Sequence, residues 1–385
     1  MFRKLVAAGS FISFLMAPGF AAGAGTTLRQ TVMAELRYDT NARIAAEGEL
    51  SGDDFVLLLA PGFEVINQRN KLTLTGNYRP TGSYYFENQD LNAVSHSAAV
   101  SADYTLSRRT SLMAEDRFTY SGESLETTLV GIQNQRGTMW TNTIFFSMNH
   151  ILTQRTSISM SASDHMLDFE NILAVDNRSE SGSVGLNFQA TPETQLNGSY
   201  NFSYVNFDLP GGAASNQNTH SLNAGFVSRF RDSLLLSMSA GTVYADSRGF
   251  GNGLTDWVAR AEIRKSFQRS SANFSYTRQT TSSSGLTDQL TLNDSFIAEL
   301  RYVVAQNMNL SLSGNYTHNH SKPENTLDIK SFLVGASGTW QLYDWLSFGM
   351  GYSHFKQEAN GPLGVDLERD HVSISINLTT FEGRL

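Results

Sequence analysis

The chain has 385 residues, a formal charge of −8 and no cysteine. Disulfides, thiolate metal sites and cysteine nucleophiles are therefore excluded, and the acidic balance argues against nucleic acid as a partner. Charged residues make up only 17%, prolines number seven, and 24 Phe with 14 Tyr accompany abundant Gly, Ser, Asn and Thr. Such a composition suits short strands joined by polar turns. The slightly negative mean hydropathy argues against a helical membrane protein.

Residues 1–24 read as a secretion signal. Arg3 and Lys4 give a positive start, Leu5 to Leu15 an apolar core, and Ala22-Gly23-Ala24 a small-x-small cleavage site. The mature chain then starts at Gly25 with a charge of −10 and, lacking a cysteine there, is not a lipoprotein. No later segment is apolar enough for a membrane helix. The expected domains are 1–24, signal peptide, and 25–385, barrel.

From there the sequence alternates with period 2 nearly to its end. Val372, Ile374, Ile376 and Leu378 oppose Ser373, Ser375, Asn377 and Thr379; Leu346, Phe348, Met350 and Tyr352 oppose Ser347, Gly349, Gly351 and Ser353. Eighteen such segments are expected, at 31–39, 54–67, 71–87, 95–106, 110–120, 139–152, 156–169, 181–190, 194–207, 219–230, 233–246, 255–267, 271–281, 289–304, 308–319, 329–342, 346–357 and 369–381. Short turns centre near Arg69, Arg108, Arg155, Pro192, Arg231, Arg269, Gln306 and Tyr343, at spacings of 39, 47, 37, 39, 38, 37 and 37 residues. Longer loops lie between them. This rhythm predicts an all-β, up-and-down antiparallel transmembrane barrel, most simply of 18 strands with 16 as the alternative. Its place is the outer membrane of a Gram-negative-type bacterium, among lipid and lipopolysaccharide, with both termini periplasmic. A barrel of this size encloses water.

Basic residues gather at the short turns and acidic ones favour the longer loops. Arg108, Arg109, Arg155, Arg231 and Arg269 thus have two readings: contact with inner-leaflet phosphates, or docking of an acidic periplasmic partner. By parity, six acidic residues (Glu35, Glu64, Asp103, Glu115, Glu262 and Glu299) face the lumen. So do six basic ones: Arg37, Arg79, Arg117, Arg260, Arg264 and Arg301. The balance of sign points away from a dedicated anion or cation channel. It leaves two readings, mutual neutralisation that stiffens the wall or a polar track for a hydrophilic solute. Several of these charges sit two apart on one strand, and on facing strands such residues can pair into ladders. Asp116 falls on the apolar face, where a charge is unfavourable; a bulge is expected there, ahead of a position near the interface or a lateral contact.

No cofactor, metal or catalytic residue is expected. Ser161, Ser163 and His165 share a face but lack an oxyanion element. His318 and His320, two apart, are read as the solvated base of a loop before a metal pair. No segment is long enough for a cork. Loop 121–138, the longest, is the only candidate for an inward constriction.

The block Leu36-Arg37-Tyr38-Asp39-Thr40-Asn41, Asp53-Asp54, Leu57-Leu58-Leu59-Ala60-Pro61-Gly62-Phe63, Lys71 to Tyr78 and Tyr84-Tyr85-Phe86 resembles the putative β-barrel porin-2 family and barrels encoded with exopolysaccharide operons. The match covers roughly residues 36 to 120. The resemblance implies export of a polysaccharide (exopolysaccharide or capsule) through the lumen, working with a periplasmic polysaccharide-export protein. It brings no catalytic residues. The alternative is a general or sugar-selective diffusion porin for nutrient uptake, which needs an inward constriction loop.

Overall fold

The structure, a computed structural model, describes residues 25–46, 52–122, 132, 137–170, 175–209, 214–231, 233–247, 253–281, 289–322, 326–360 and 364–384. The expected signal peptide lies outside these residues. Among them no helix is long and apolar enough to cross a membrane.

Eighteen strands form, each over a segment of period-2 alternation. They are β1 (Thr26–Asp39), β2 (Asp54–Arg69), β3 (Leu72–Tyr85), β4 (Ala93–Ser107), β5 (Thr110–Ser121) and β6 (Met139–Ile151). Then come β7 (Thr156–Phe169), β8 (Asp176–Gln189), β9 (Thr194–Asp208), β10 (Ala214–Phe230), β11 (Leu234–Ser247) and β12 (Leu254–Ser266). The last six are β13 (Ser270–Thr281), β14 (Leu290–Ala305), β15 (Met308–Lys322), β16 (Asp328–Tyr343), β17 (Leu346–Ala359) and β18 (Leu367–Arg384). Every strand pairs antiparallel with its chain neighbours, and β1 pairs with β18 from Thr27↔Arg384 to Asp39↔His371. The sheet is therefore a closed barrel with no free edge, which removes the unpaired backbone groups that neither lipid nor a neighbouring chain could safely satisfy. Of the two expected counts, 18 is the one observed. β1, β8 and β10 begin five residues earlier than the alternation alone marks.

One end of the barrel carries the short turns and both ends of the described chain; the other carries the longer connections. The closed ring decides which face of each strand is inside. Outward rows hold large apolar side chains left open, among them Leu36, Leu222, Phe274, Met350 and Ile374. An apolar belt right round a closed ring is unfavourable in water and matches a hydrocarbon layer. Aromatics cluster toward its edges, as in the Tyr84–Phe86 and Tyr343–Trp345 ring pairs.

Two local features depart from a regular ladder. Pro61 and Pro80 lie opposite each other on β2 and β3, and the pairing lapses between Leu59↔Gly82 and Phe63↔Tyr78. Neither proline has an N–H to donate, so the ladder cannot close there. Asp116 corrects the expected bulge. It sits in unbroken register between Val100 and Ile144. Its carboxylate is instead met on the outward face by Asn142 Nδ2, at 2.7 Å.

Candidate functional site

The inward face is the candidate site. The register places all twelve charges singled out from the sequence on it, opposite the apolar rows. Their ion pairs run along single strands, not as ladders across facing strands. Arg37 bonds Glu35 at 3.0 Å, Arg117 bonds Glu115 at 2.5 Å, and Arg264 bonds Glu262 at 2.8 Å. Arg260 approaches Glu262 at 3.6 Å and Arg301 approaches Glu299 at 3.7 Å. All these pairs run along one strand. The reason is the register: Arg260, Glu262 and Arg264 face Thr277, Ser275 and Asn273, so no opposite charge stands across. Glu64, Arg79 and Asp103 make no ion pair among the described residues. Glu64 and Arg79 line, with Arg29, Thr31, Asn77 and Ser97, a cleft of about 390 Å³ beside the proline gap.

Between the charged sectors the wall is uncharged. Ser161 bonds Ser183 at 2.7 Å, Ser163 bonds Ser181 at 2.8 Å, and Ser179 bonds Ser203 at 3.3 Å. Asn201 continues the row to Ser221 at 3.1 Å. Each hydroxyl keeps acceptor capacity after one such bond. A ladder of hydroxyl and amide groups thus runs across β7 to β10. His165 bonds Thr143 instead of either serine, so no serine–histidine pair forms.

The lumen is unlike at its two ends. Toward the turns the charged side chains are open to solvent; those of Arg301 and Arg264 are 72% and 55% exposed. Toward the loops the inward rows are buried. Phe207, Ile329, Thr291 and Asn319 are fully covered, and Val56 and Val243 nearly so. Apolar side chains from the connections pack onto this inner wall. Ala42 meets Val56, Leu58 and Tyr85; Ile44 meets Phe355 and Leu367; Val175 meets Val205 and Phe207.

Ile132 reaches furthest. It belongs to the β5–β6 connection yet packs, 2% exposed, on Leu327 and Ile329 at the start of β16. That wall is seven strands away by the shorter way round. The rest of the expected constriction segment lies mostly outside the described residues. It is not the only inward element, because the β1–β2 connection also turns in.

This β1–β2 connection is pinned at three places. Arg43 grips Asp90 with both terminal nitrogens at 2.9 Å, and its Nε donates to Asn88. Such a planar fork on a carboxylate is directional as well as strong. The hydrogen bond to Asp90 holds the Arg43 guanidinium above its ordinary pKa. Asn41 donates to the backbone oxygens of Ala45 and Glu368. Ile44 accepts a left-handed backbone, φ 54°, to bring its side chain inward. For a β-branched residue that conformation is costly and persists only where contacts enforce it. Beneath it lies a buried ion pair. Arg369 donates to both oxygens of Asp39 at 2.9 and 2.5 Å, with His371 within 3.3 Å, and the pair is about 98% covered.

Apart from loop 121–138, none of these inward elements was named from the sequence. A signal for them was present. The start of β2 is apolar on both faces, Val56, Leu58 and Ala60 inward against Phe55, Leu57 and Leu59 outward. A strand apolar on both faces is covered on both faces.

The five turn arginines, Arg108, Arg109, Arg155, Arg231 and Arg269, are all exposed at the turn end. No bound partner is part of the structure.

No protein-family model matches the chain, and no curated protein matches it by sequence, so the porin-2 resemblance stands on its quoted residues alone. Solved structures do match. The FrpB iron transporter of Neisseria meningitidis aligns with 87% of this chain at 8% identity and a TM-score of 0.54, although the chain spans only 62% of that protein. OpdK of Pseudomonas aeruginosa, crystallised with vanillate, aligns with 92% of this chain and 98% of its own length, at 8% identity and a TM-score of 0.50. At these identities the likeness concerns the fold, and with the closed ring and apolar belt it identifies the chain as an 18-stranded barrel of the outer-membrane type.

Proposed function

We propose that the barrel is an outer-membrane diffusion porin for uptake of small, neutral or weakly charged hydroxylated solutes. Its turns and both termini face the periplasm, and its loop end faces outward among lipopolysaccharide. The observation that carries this reading is Ile132 seated on the far wall. A side chain of the β5–β6 connection seated on the opposite wall narrows the mouth to small molecules. A hydrated polysaccharide needs a wide, continuous bore, so export of a polymer with a periplasmic partner is the weaker reading. The hydroxyl and amide row of β7 to β10 supplies hydrogen-bonding groups along the path. The twelve balanced charges line the path without a trapping well of one sign. A barrel of the same fold crystallised with vanillate accords with passage of small organic solutes.

Liposome swelling with the purified barrel tests it. Mono- and disaccharides should enter and a dextran polymer should not. Deleting the gene should slow uptake of such sugars at low concentration and leave surface polysaccharide intact. Loss of surface polysaccharide with normal sugar uptake would return the export reading.

A further inference from the structure

We propose that Asp294, His318 and His320 form a divalent-metal site on the outward face of the barrel, near the loop end of β14 and β15, suited to Zn²⁺. His318 and His320 are two apart on β15, so the strand period sets both imidazoles on one face. Asp294 stands directly across the ladder from His318. One ligand atom from each of the three lies within 4.8 Å of the others. Zinc ligands about 2.0–2.2 Å from the ion lie closer together than that, so small side-chain rotations close the set. Two imidazoles and a carboxylate are borderline donors that favour zinc over calcium or magnesium.

A second observation points the same way. His320 Nδ1 is buried and has no hydrogen-bond partner. A buried polar atom without a partner is uncommon in a native structure, and an ion is one of the few groups that accounts for it. The neighbours are arranged as supports. Asp328 on β16 lies 2.9 Å from His318 Nε2, and Tyr276 Oη donates to Asp294 Oδ1 at 2.7 Å. Carboxylates and hydroxyls behind the ligands orient them and raise their basicity.

One contact opposes the site. Arg278 binds Asp294 Oδ2 at 2.6 Å. Its positive charge is shared, because Asp256 takes another of its nitrogens at 3.4 Å and is also paired with Lys322. Around the cluster Asp256, Asp294 and Asp328 offset Arg278, Lys322 and Lys330, so no net positive field repels a cation. Asp294 Oδ1 keeps a lone pair beyond the one used by Tyr276.

The metal ties β14 to β15 directly and β16 through Asp328. Asp328 sits between Leu327 and Ile329, the two residues that receive Ile132 on the inner side. The other histidine–carboxylate cluster of the outward face, His354 with Glu368 and Asp370, serves as a control. There His354 Nδ1 is already bonded to Asp370 at 3.0 Å, and Glu368 is exposed.

The test uses the untagged barrel purified in detergent, titrated with Zn²⁺ by calorimetry and with Co²⁺ by visible absorbance. One metal should bind per barrel, with the Co²⁺ band of nitrogen ligation. His318→Ala and His320→Ala should each weaken binding by at least about tenfold, and His354→Ala should leave it unchanged. Heat-modifiable gel mobility checks that each variant is folded; if the alanine variants misfold, His318→Gln and His320→Gln replace them. Absence of binding by the folded wild-type barrel, binding that survives the His318 and His320 substitutions, or binding lost in His354→Ala would overturn the assignment.

Discussion

The turn half and the loop half of the lumen are built from the same eighteen strands and obey the same alternation, yet they do different things. In the turn half the inward rows are Ser, Asn, Arg and Glu left open to water, with charges neutralised along single strands. In the loop half the inward rows mix Val, Leu, Ile and Phe with Thr, Asn and Ser, and are covered. Period 2 assigns a side chain to a face. It does not say whether that face meets water or another part of the chain. The first half makes the lumen polar, and on the proposed porin reading the second sets its aperture.

Removing the cover should have the largest effect. Deleting residues 124–136, which takes out Ile132, should raise single-channel conductance severalfold in planar bilayers while heat-modifiable mobility is kept. Unchanged conductance would show that the loop half is no narrower than the turn half. Next comes the ion pair beneath the β1–β2 connection. Arg369→Ala leaves Asp39 buried without its partner, and breaking a buried pair costs about 3–5 kcal/mol. Denaturant unfolding in detergent should show that loss, and a barrel as stable as wild type would mean the pair is hydrated.

The turn half is probed by charge. Arg260→Glu with Arg264→Glu leaves Glu262 without a counter-charge and should move reversal potentials toward cation selectivity, with assembly intact. Failure to insert would show that these side chains face lipid. The smallest effect is expected at the outermost arginines. Reversing Arg108, Arg109, Arg155, Arg231 and Arg269 should leave sugar permeation nearly unchanged, because they stand outside the lumen. A selective loss of surface polysaccharide in such a strain would instead assign them to a docking surface.

Much of this was legible before any coordinates. The eighteen segments, the alternation of short and long connections, and the parity of Glu35, Arg37, Glu115, Arg117, Arg260, Glu262, Arg264, Glu299 and Arg301 depend only on spacing along a strand, and spacing is local. The partner choice of those charges was not legible, because it depends on which neutral residues stand across the ladder. Asp116 is a similar case. A charge on the apolar face called for a local distortion, and a cross-strand asparagine removed the need for one.

By itself, then, the sequence determined the architecture: an alternation of period 2 with no cysteine, no long apolar helix and evenly spaced hairpins has few other ways to satisfy its backbone in lipid. Only the tertiary structure decided what occupies the mouth. Ile44 on Phe355, Asp39 on Arg369 and Ile132 on Ile329 join residues from about 200 to more than 300 positions apart. Closing β1 onto β18 is what brings most of them together. A pattern read along one strand carries no information about the opposite wall.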